Sequence, residues 1–222
     1  MKLRPLTIAL ALIPFSSFAA TREIALEMSQ LQLKNVKAES VTFKGRKALR
    51  LTDADLNLPD GIRLALIGKT DFQDGVIEID LAGDTLPGAA PEFRAFTGIA
   101  FRATPEGANY EAIYLRPKNG RSEDQLQRNH SAQYVSYPEF PWPLLRKDAP
   151  GKYESYVDLV PGEWTKVKIE VRGEKARLYV HGSEQPSLIV NDLKHGQKKG
   201  AIALWIGPAT VAHFSNLKVT TE

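Results

Sequence analysis

An antiparallel β-sandwich is the fold this sequence predicts, all-β and nearly free of helix. Three observations carry that expectation. Apolar and polar residues alternate with a period of two through most of the chain, which puts one set of side chains on each face of a strand. The alternating runs are short and are bounded by Gly, Pro or Asn, as strands joined by turns should be. No stretch shows the 3.6-residue periodicity and end-capping of a substantial helix.

The chain opens with "MKLR" and the apolar run "LTIALALIPF", followed by the small residues of "SFAA". A positive start, a run too short to span a bilayer and a small-residue cleavage site predict an export signal over residues 1–20. The expected location is a periplasm or the cell exterior, with no transmembrane segment once the leader is gone. Losing Lys2 and Arg4 and no acid lowers the formal charge from +3 to +1. A nearly neutral chain lacks the concentrated basic face that nucleic-acid binding needs. The absence of cysteine excludes disulfides, zinc–thiolate sites and cysteine nucleophiles, so the fold must rest on its core, for which about 200 residues suffice.

"ESVTFKGRKALRLTD" reads as a hairpin turning at Lys44-Gly45-Arg46. In "GVIEIDLAG", Ile77, Ile79 and Leu81 form the core set and Glu78 and Asp80 point away. In "FTGIAFRA", Ile99 and Phe101 are core and Arg102 lies opposite. In "NYEAIYLRP", Ile113 and Leu115 are core, leaving Tyr110, Tyr114 and Arg116 outside. "KYESYVDLV" reads as another strand. "WTKVKIEVRG" and "KARLYVHG" form a hairpin through "RGEK", and Gly182-Ser183 reverses the chain again. In "GAIALWIG", Ile202, Leu204 and Ile206 are core and Trp205 projects outward.

From Pro117 to Gly151 the alternation breaks down, and residues 21–222 are expected to form one domain with a long functional loop at 117–151. Within it "SEDQLQRNH" offers a helical turn or two opened by Ser122. Tyr134, Tyr137, Phe140 and Trp142 carry too much apolar area for a solvated tail. Arg116, Arg121, Arg128 and Arg146 with His130 give the segment an anion-attracting character, tempered by Glu123 and Asp124.

The strand order resembles the concanavalin A-like, laminin-G-like jelly roll, and is most similar to the 3-keto-disaccharide hydrolase-like domains. The residues that carry the resemblance are "FQDGVIEIDL", "FTGIAFR", "NYEAIYLRP", the hairpin from Trp164 to Gly182, and the closing Phe214–Val219. It covers roughly residues 36 to 220. The resemblance implies a concanavalin A-like jelly roll with a saccharide on its concave sheet face.

If the strands above share one sheet, Glu78, Asp80, Arg102, Tyr110, Tyr114, Arg116 and Trp205 meet on that face, roofed by Arg121, Arg128, Gln133, Tyr134, Tyr137 and Trp142. Rings cover the C–H faces of pyranoses, while arginines and carboxylates take the hydroxyls. The plain alternative is a solvated sheet in which Glu78 pairs with Arg102.

Whether the chain is an enzyme stays open at this point. Glu78, Asp80 and Asp84 resemble the strand of family 16 glycoside hydrolases, with the third acid one residue late and Asp for Glu. A polysaccharide lyase would use His130 as base, with Tyr134 and the arginine and glutamine around them. A hydrolase would draw on Glu111, Asp124, His130 or Glu154. The rival without catalysis is a laminin-G-like adhesion module. The four histidines stand at no ligand spacing, so no transition-metal site is expected. No cofactor is expected either. Calcium through loop carbonyls and Asp53, Asp55 or Asp84 is left open without a motif behind it.

Overall fold

In the computed structural model, residues 20–58 and 62–222 are described. The expected leader, apart from Ala20, lies outside them. No helix among the described residues is long and apolar enough to cross a membrane.

The strands are β1 (Ala20–Glu23), β2 (Leu31–Lys34), β3 (Val36–Phe43), β4 (Arg46–Asp53), β5 (Leu64–Phe72), β6 (Gly75–Thr85) and β7 (Thr97–Ala103). They continue through β8 (Tyr110–Leu115), β9 (Ala132–Tyr137), β10 (Glu154–Ser155), β11 (Thr165–Arg172), β12 (Lys175–Val180), β13 (Leu188–Val190), β14 (Gly200–Ile206) and β15 (Thr210–Thr221). Two antiparallel sheets result. One runs β13-β12-β11-β6-β15-β4-β3, with β1 also paired to β15; the other runs β10-β9-β8-β7-β14-β5-β2.

The period of two explains the layering. Ile77, Ile79 and Leu81 from the first sheet, with Val167, Ile169 and Phe214, face Ile99, Phe101, Ile113 and Leu204 from the second, all of them buried. The hairpins fall where the turn residues place them: Phe43 pairs with Arg46 across Lys44-Gly45, and Arg172 with Lys175 across Gly173-Glu174. Lys44 has φ 46° and Gly45 φ 76°, the left-handed pair that a tight hairpin requires.

The segment 117–151 differs from expectation. It is not a loop throughout, because its middle forms β9, an interior strand of the second sheet between β8 and β10. Flanking β9 are the short helices α1 (Gln125–Asn129) and α2 (Trp142–Asp148). The first is capped by Asp124, whose carboxylate accepts from the Leu126 and Gln127 amides, and not by Ser122. "KYESYVDLV" in turn contributes only the two residues of β10.

On the outer face of the first sheet, His213 stacks on Phe43 with centroids 3.7 Å apart and planes 6° from parallel. Phe43 meets Trp164 edge-on at 5.5 Å. Burial first, and then the charge of Arg50, hold the His213 imidazole down to about 4. The unfolded ring titrates near pH 6.5. Between those values the unfolded chain binds the proton better, so the stability contributed by the neutral ring is full above pH 6.5 and is lost as pH falls towards 4. Partial hydration of the ring keeps the effect to about 1–2 kcal/mol. Urea midpoints of the wild type should therefore drop more than those of His213→Phe between pH 7 and pH 4.5; parallel curves would contradict the assignment.

Candidate functional site

One row of residues crosses the outer face of the second sheet. Antiparallel register aligns Trp205 of β14, Gly98 of β7, Tyr114 of β8, Gln133 of β9 and Glu154 of β10. Directly opposed residues share a face. Gly98 is the reason the two rings on either side of it can meet. A Cβ there would lie 2.6 Å from the Tyr114 Cβ, so its absence lets Trp205 reach over β7 and stack on Tyr114, with centroids 4.5 Å apart. Trp205 Nε1 donates to the Tyr110 hydroxyl at 3.3 Å. Tyr110 in turn stacks on Tyr137 at 5.2 Å, its register partner on β9. The result is a continuous aromatic series, Tyr137–Tyr110–Trp205–Tyr114, closed at one end by Phe96 edge-on to Tyr114 at 6.1 Å. Tyr110 and Tyr114 form its buried floor, and burial raises both of their phenol pKa values. Trp205, Tyr137 and Phe96 are half-buried and present the accessible ring surface.

At the Tyr114 end lies a buried ionic cluster. Arg116 donates to the Tyr114 hydroxyl (3.1 Å), Gln133 Oε1 (3.0 Å), the His130 carbonyl (2.8 Å) and Glu154 Oε1 (3.2 Å). Its guanidinium lies 5.1 Å from the Tyr114 ring centroid and 5.9 Å from those of Phe96 and Trp142. Arg146 binds both oxygens of Glu154 and stacks over Trp142 at 4.5 Å. His130 Nε2 stands 3.5 Å from Glu154 Oε2. Burial alone would raise the Glu154 pKa, but the Arg146 hydrogen bonds and the charges of Arg116 and Arg146 outweigh it and hold the carboxyl below its ordinary value. Burial lowers the His130 pKa, with the two arginines adding to it against Glu154, so the imidazole is neutral at pH 7. Beside this cluster opens a cleft of about 680 Å³, lined by His130, Arg146, Glu154 and Tyr156 among others.

The expected residues are thus divided. Tyr110, Tyr114, Arg116, Gln133, Tyr137 and Trp205 share one face of one sheet, and Trp142, Arg128 and His130 stand at its edge. Arg128 reaches over Tyr156, whose hydroxyl takes its hydrogen bond at 3.2 Å. Contrary to expectation, Arg116, Gln133, Tyr110 and Tyr114 are a buried floor and not open contact surface.

Glu78 and Asp80 do not join them. They sit on β6, in the other sheet, where Glu78 is in register with Lys168 and Lys218 and Asp80 is held by Arg46 and Asn216. The family 16-like acids therefore lie on the far side of the sandwich. Arg102 is a staple: from a bulged position with φ 53° it binds Asp74 and the carbonyls of Gln73, Gly173 and Gly196. It does not meet Glu78.

Glu111 and Tyr134 point inward. The Tyr134 hydroxyl donates to Glu111 at 2.7 Å, and Glu111 also accepts the His195 amide at 2.8 Å. Period two puts Tyr134 and Gln133 on opposite faces of β9, so the expected lyase grouping is split by the sheet itself. Asp124 is engaged in capping α1, and Arg121 pairs with Asp158 at 2.8 Å on the surface. Of the acids considered for calcium, Asp53 is bound by Arg63, Asp55 accepts the Asn57 amide and Asp84 the Thr85 amide. Among the described residues no group of three His, Asp or Glu side chains is placed to hold a metal ion.

Phe96 and Tyr156 were not singled out in the sequence. Tyr156 stands two residues after Glu154, the spacing that keeps two side chains on one side of an extended segment.

No family model matches the chain, and no curated protein matches it. Among solved structures it is similar to a carbohydrate binding module from Bacillus subtilis, at 13% identity over 84% of this chain and 96% of that one, with a TM-score of 0.54. A protein of unknown function with galectin-like fold from the same organism aligns at 13% identity over 91% of this chain and 98% of that one, TM-score 0.51. A Bacillus licheniformis β-glucanase aligns at 13% identity over 93% and 99%, TM-score 0.50. At these identities the likeness shows the fold alone, an antiparallel jelly-roll β-sandwich.

Proposed function

We propose that this protein binds a saccharide on the outer face of its seven-stranded sheet, over the Tyr137–Tyr110–Trp205–Tyr114 series. The observation that carries the reading is the partly buried Trp205, held flat by the Tyr114 stack and the Tyr110 hydrogen bond. A fixed indole beside polar groups suits a sugar ring, which has an apolar C–H face and a hydroxyl rim. The neighbours in fold support it, since one is a carbohydrate binding module and another a β-glucanase. Kinship with the 3-keto-disaccharide hydrolase-like domains, and export by the leader to a periplasm or the cell exterior, belong to the same reading.

Recognition without turnover is favoured because three of the acids considered for catalysis are committed elsewhere. Glu154 is held ionised by two arginines, Glu111 is interior and Asp124 caps a helix. One observation favours a second reading: His130 is neutral and lines the cleft, as a general base would. Cleavage of any panel glycan that His130→Ala abolishes, with folding intact, would establish that reading instead.

A glycan array followed by titration calorimetry tests the proposal. Trp205→Ala should weaken binding about 30-fold, the effect of losing a central aromatic anchor of ~2 kcal/mol. An array without a single binder would remove the saccharide reading.

A further inference from the structure

The cleft beside Glu154 is lined by a fixed guanidinium with N–H groups to spare, and we infer that it takes an acidic substituent of the saccharide, a uronate carboxylate or a sulfate ester. The inference rests on the saccharide reading above and specifies the sugar class.

Three guanidinium groups surround the cleft: Arg116 beneath it, Arg146 in its wall and Arg128 at its rim over Tyr156. Two carboxylates oppose them, Glu154 at the centre and Asp124 capping α1 near His130. Arg121 and Asp158 cancel each other. Over this wider set one positive charge is left over, while the lining itself carries Arg146 and Glu154. Neutral hydroxyls do not require that surplus, whereas an anion entering a half-enclosed site gains from it more than it would in open water.

The arrangement also has a donor to offer. Both oxygens of Glu154 are taken by arginines, Oε1 by Arg116 and Arg146 and Oε2 by Arg146, with His130 Nε2 3.5 Å from Oε2. Arg146 uses Nε and one Nη on that carboxylate, and its other Nη has no partner among the described residues. The Arg146 side chain is 33% exposed, so those N–H groups are open to the cleft. Stacking on Trp142 fixes the plane of the guanidinium, and a planar fork held in place recognises a carboxylate or sulfate with direction as well as charge. The acidic group would then sit at the edge of the sheet while its sugar ring extends towards the aromatic series.

Calorimetry with matched pairs tests this. Oligogalacturonides and their methyl esters differ in the carboxylate charge. κ-Carrageenan oligosaccharides and their desulfated forms differ in the sulfate. One acidic member should bind about tenfold or more tightly than its neutral counterpart, and the gap should narrow as salt is raised from about 50 to 500 mM. Which pair shows the gap identifies the group. Arg146→Gln should bring the acidic-to-neutral ratio close to one, and Arg146→Lys should restore part of it. Arg128→Gln, at the rim, gives the same direction of change should Arg146 variants fail to fold. Equal affinity within both pairs overturns the inference and leaves the saccharide reading standing; a protein that binds no glycan at all loses both.

Discussion

Glu154→Ala is expected to lower the free energy of unfolding by about 3–5 kcal/mol. The Glu154 side chain is 2% exposed and that of Arg116 5%, so removing the carboxylate strands a cation out of contact with water. Arg116 would keep its bonds to Tyr114, Gln133 and the His130 carbonyl, but all of these acceptors are neutral. Urea unfolding reads the loss directly. Glu154→Ala combined with Arg116→Met should recover much of it, since the buried charge goes with its partner. A loss below about 1 kcal/mol would mean that Arg116 stays hydrated, against its burial here. The pH dependence has a defined sign. The folded pKa of Glu154 is depressed, so its contribution is complete above the ordinary glutamate range near 4.5 and disappears as pH falls through the lower folded value. The variant should therefore be less acid-sensitive than the wild type.

Asp53→Ala is expected to cost a similar ~3–5 kcal/mol. Asp53 and Arg63 have side-chain exposures of 0% and 1%, with a separation of 2.8 Å. Asp53 also accepts the Ala209 amide at 2.9 Å, and Arg63 reaches the carbonyls of Asp55 and Leu58. The pair thus joins the end of β4, the start of β5 and the turn into β15. Asp53→Asn keeps the shape and loses the charge, and should fall between the wild type and the alanine variant in thermal midpoint. If alanine leaves the midpoint within a degree or two, the pair does not hold these three elements together.

The sandwich was legible in the chain because most strands bury one face. Ile77, Ile79 and Leu81, or Ile202, Leu204 and Ile206, alternate with residues of clearly different polarity. The assignment of strands to sheets was not legible. Alternation orients a side chain relative to its own sheet but does not tell which sheet a strand joins, so Glu78 and Asp80 were grouped with rings that lie on the opposite side of the molecule. β9 was hidden for a related reason. Its inward set is Ala132, Tyr134 and Ser136, two of them able to hydrogen-bond, and its outward set includes Val135. The polarity contrast that marks a strand is therefore absent. The Trp205–Tyr114–Arg116 side of the site was legible, since all three were read as outward-facing. The burial of Tyr114 and Arg116 was not, because it depends on Phe96 and on α2 with its Arg146 arriving from other parts of the chain.

The bond from Tyr134 to Glu111, together with the amides of Lys194 and His195 on the same pair, fastens β8 and β9 from behind. The strands that carry Tyr110, Tyr114 and Tyr137 are thereby held from the inner side, while the rings themselves are held by their mutual stacking and the Trp205 hydrogen bond. Little rotamer freedom remains to be surrendered on association, so the proposed saccharide complex should form without a closing movement.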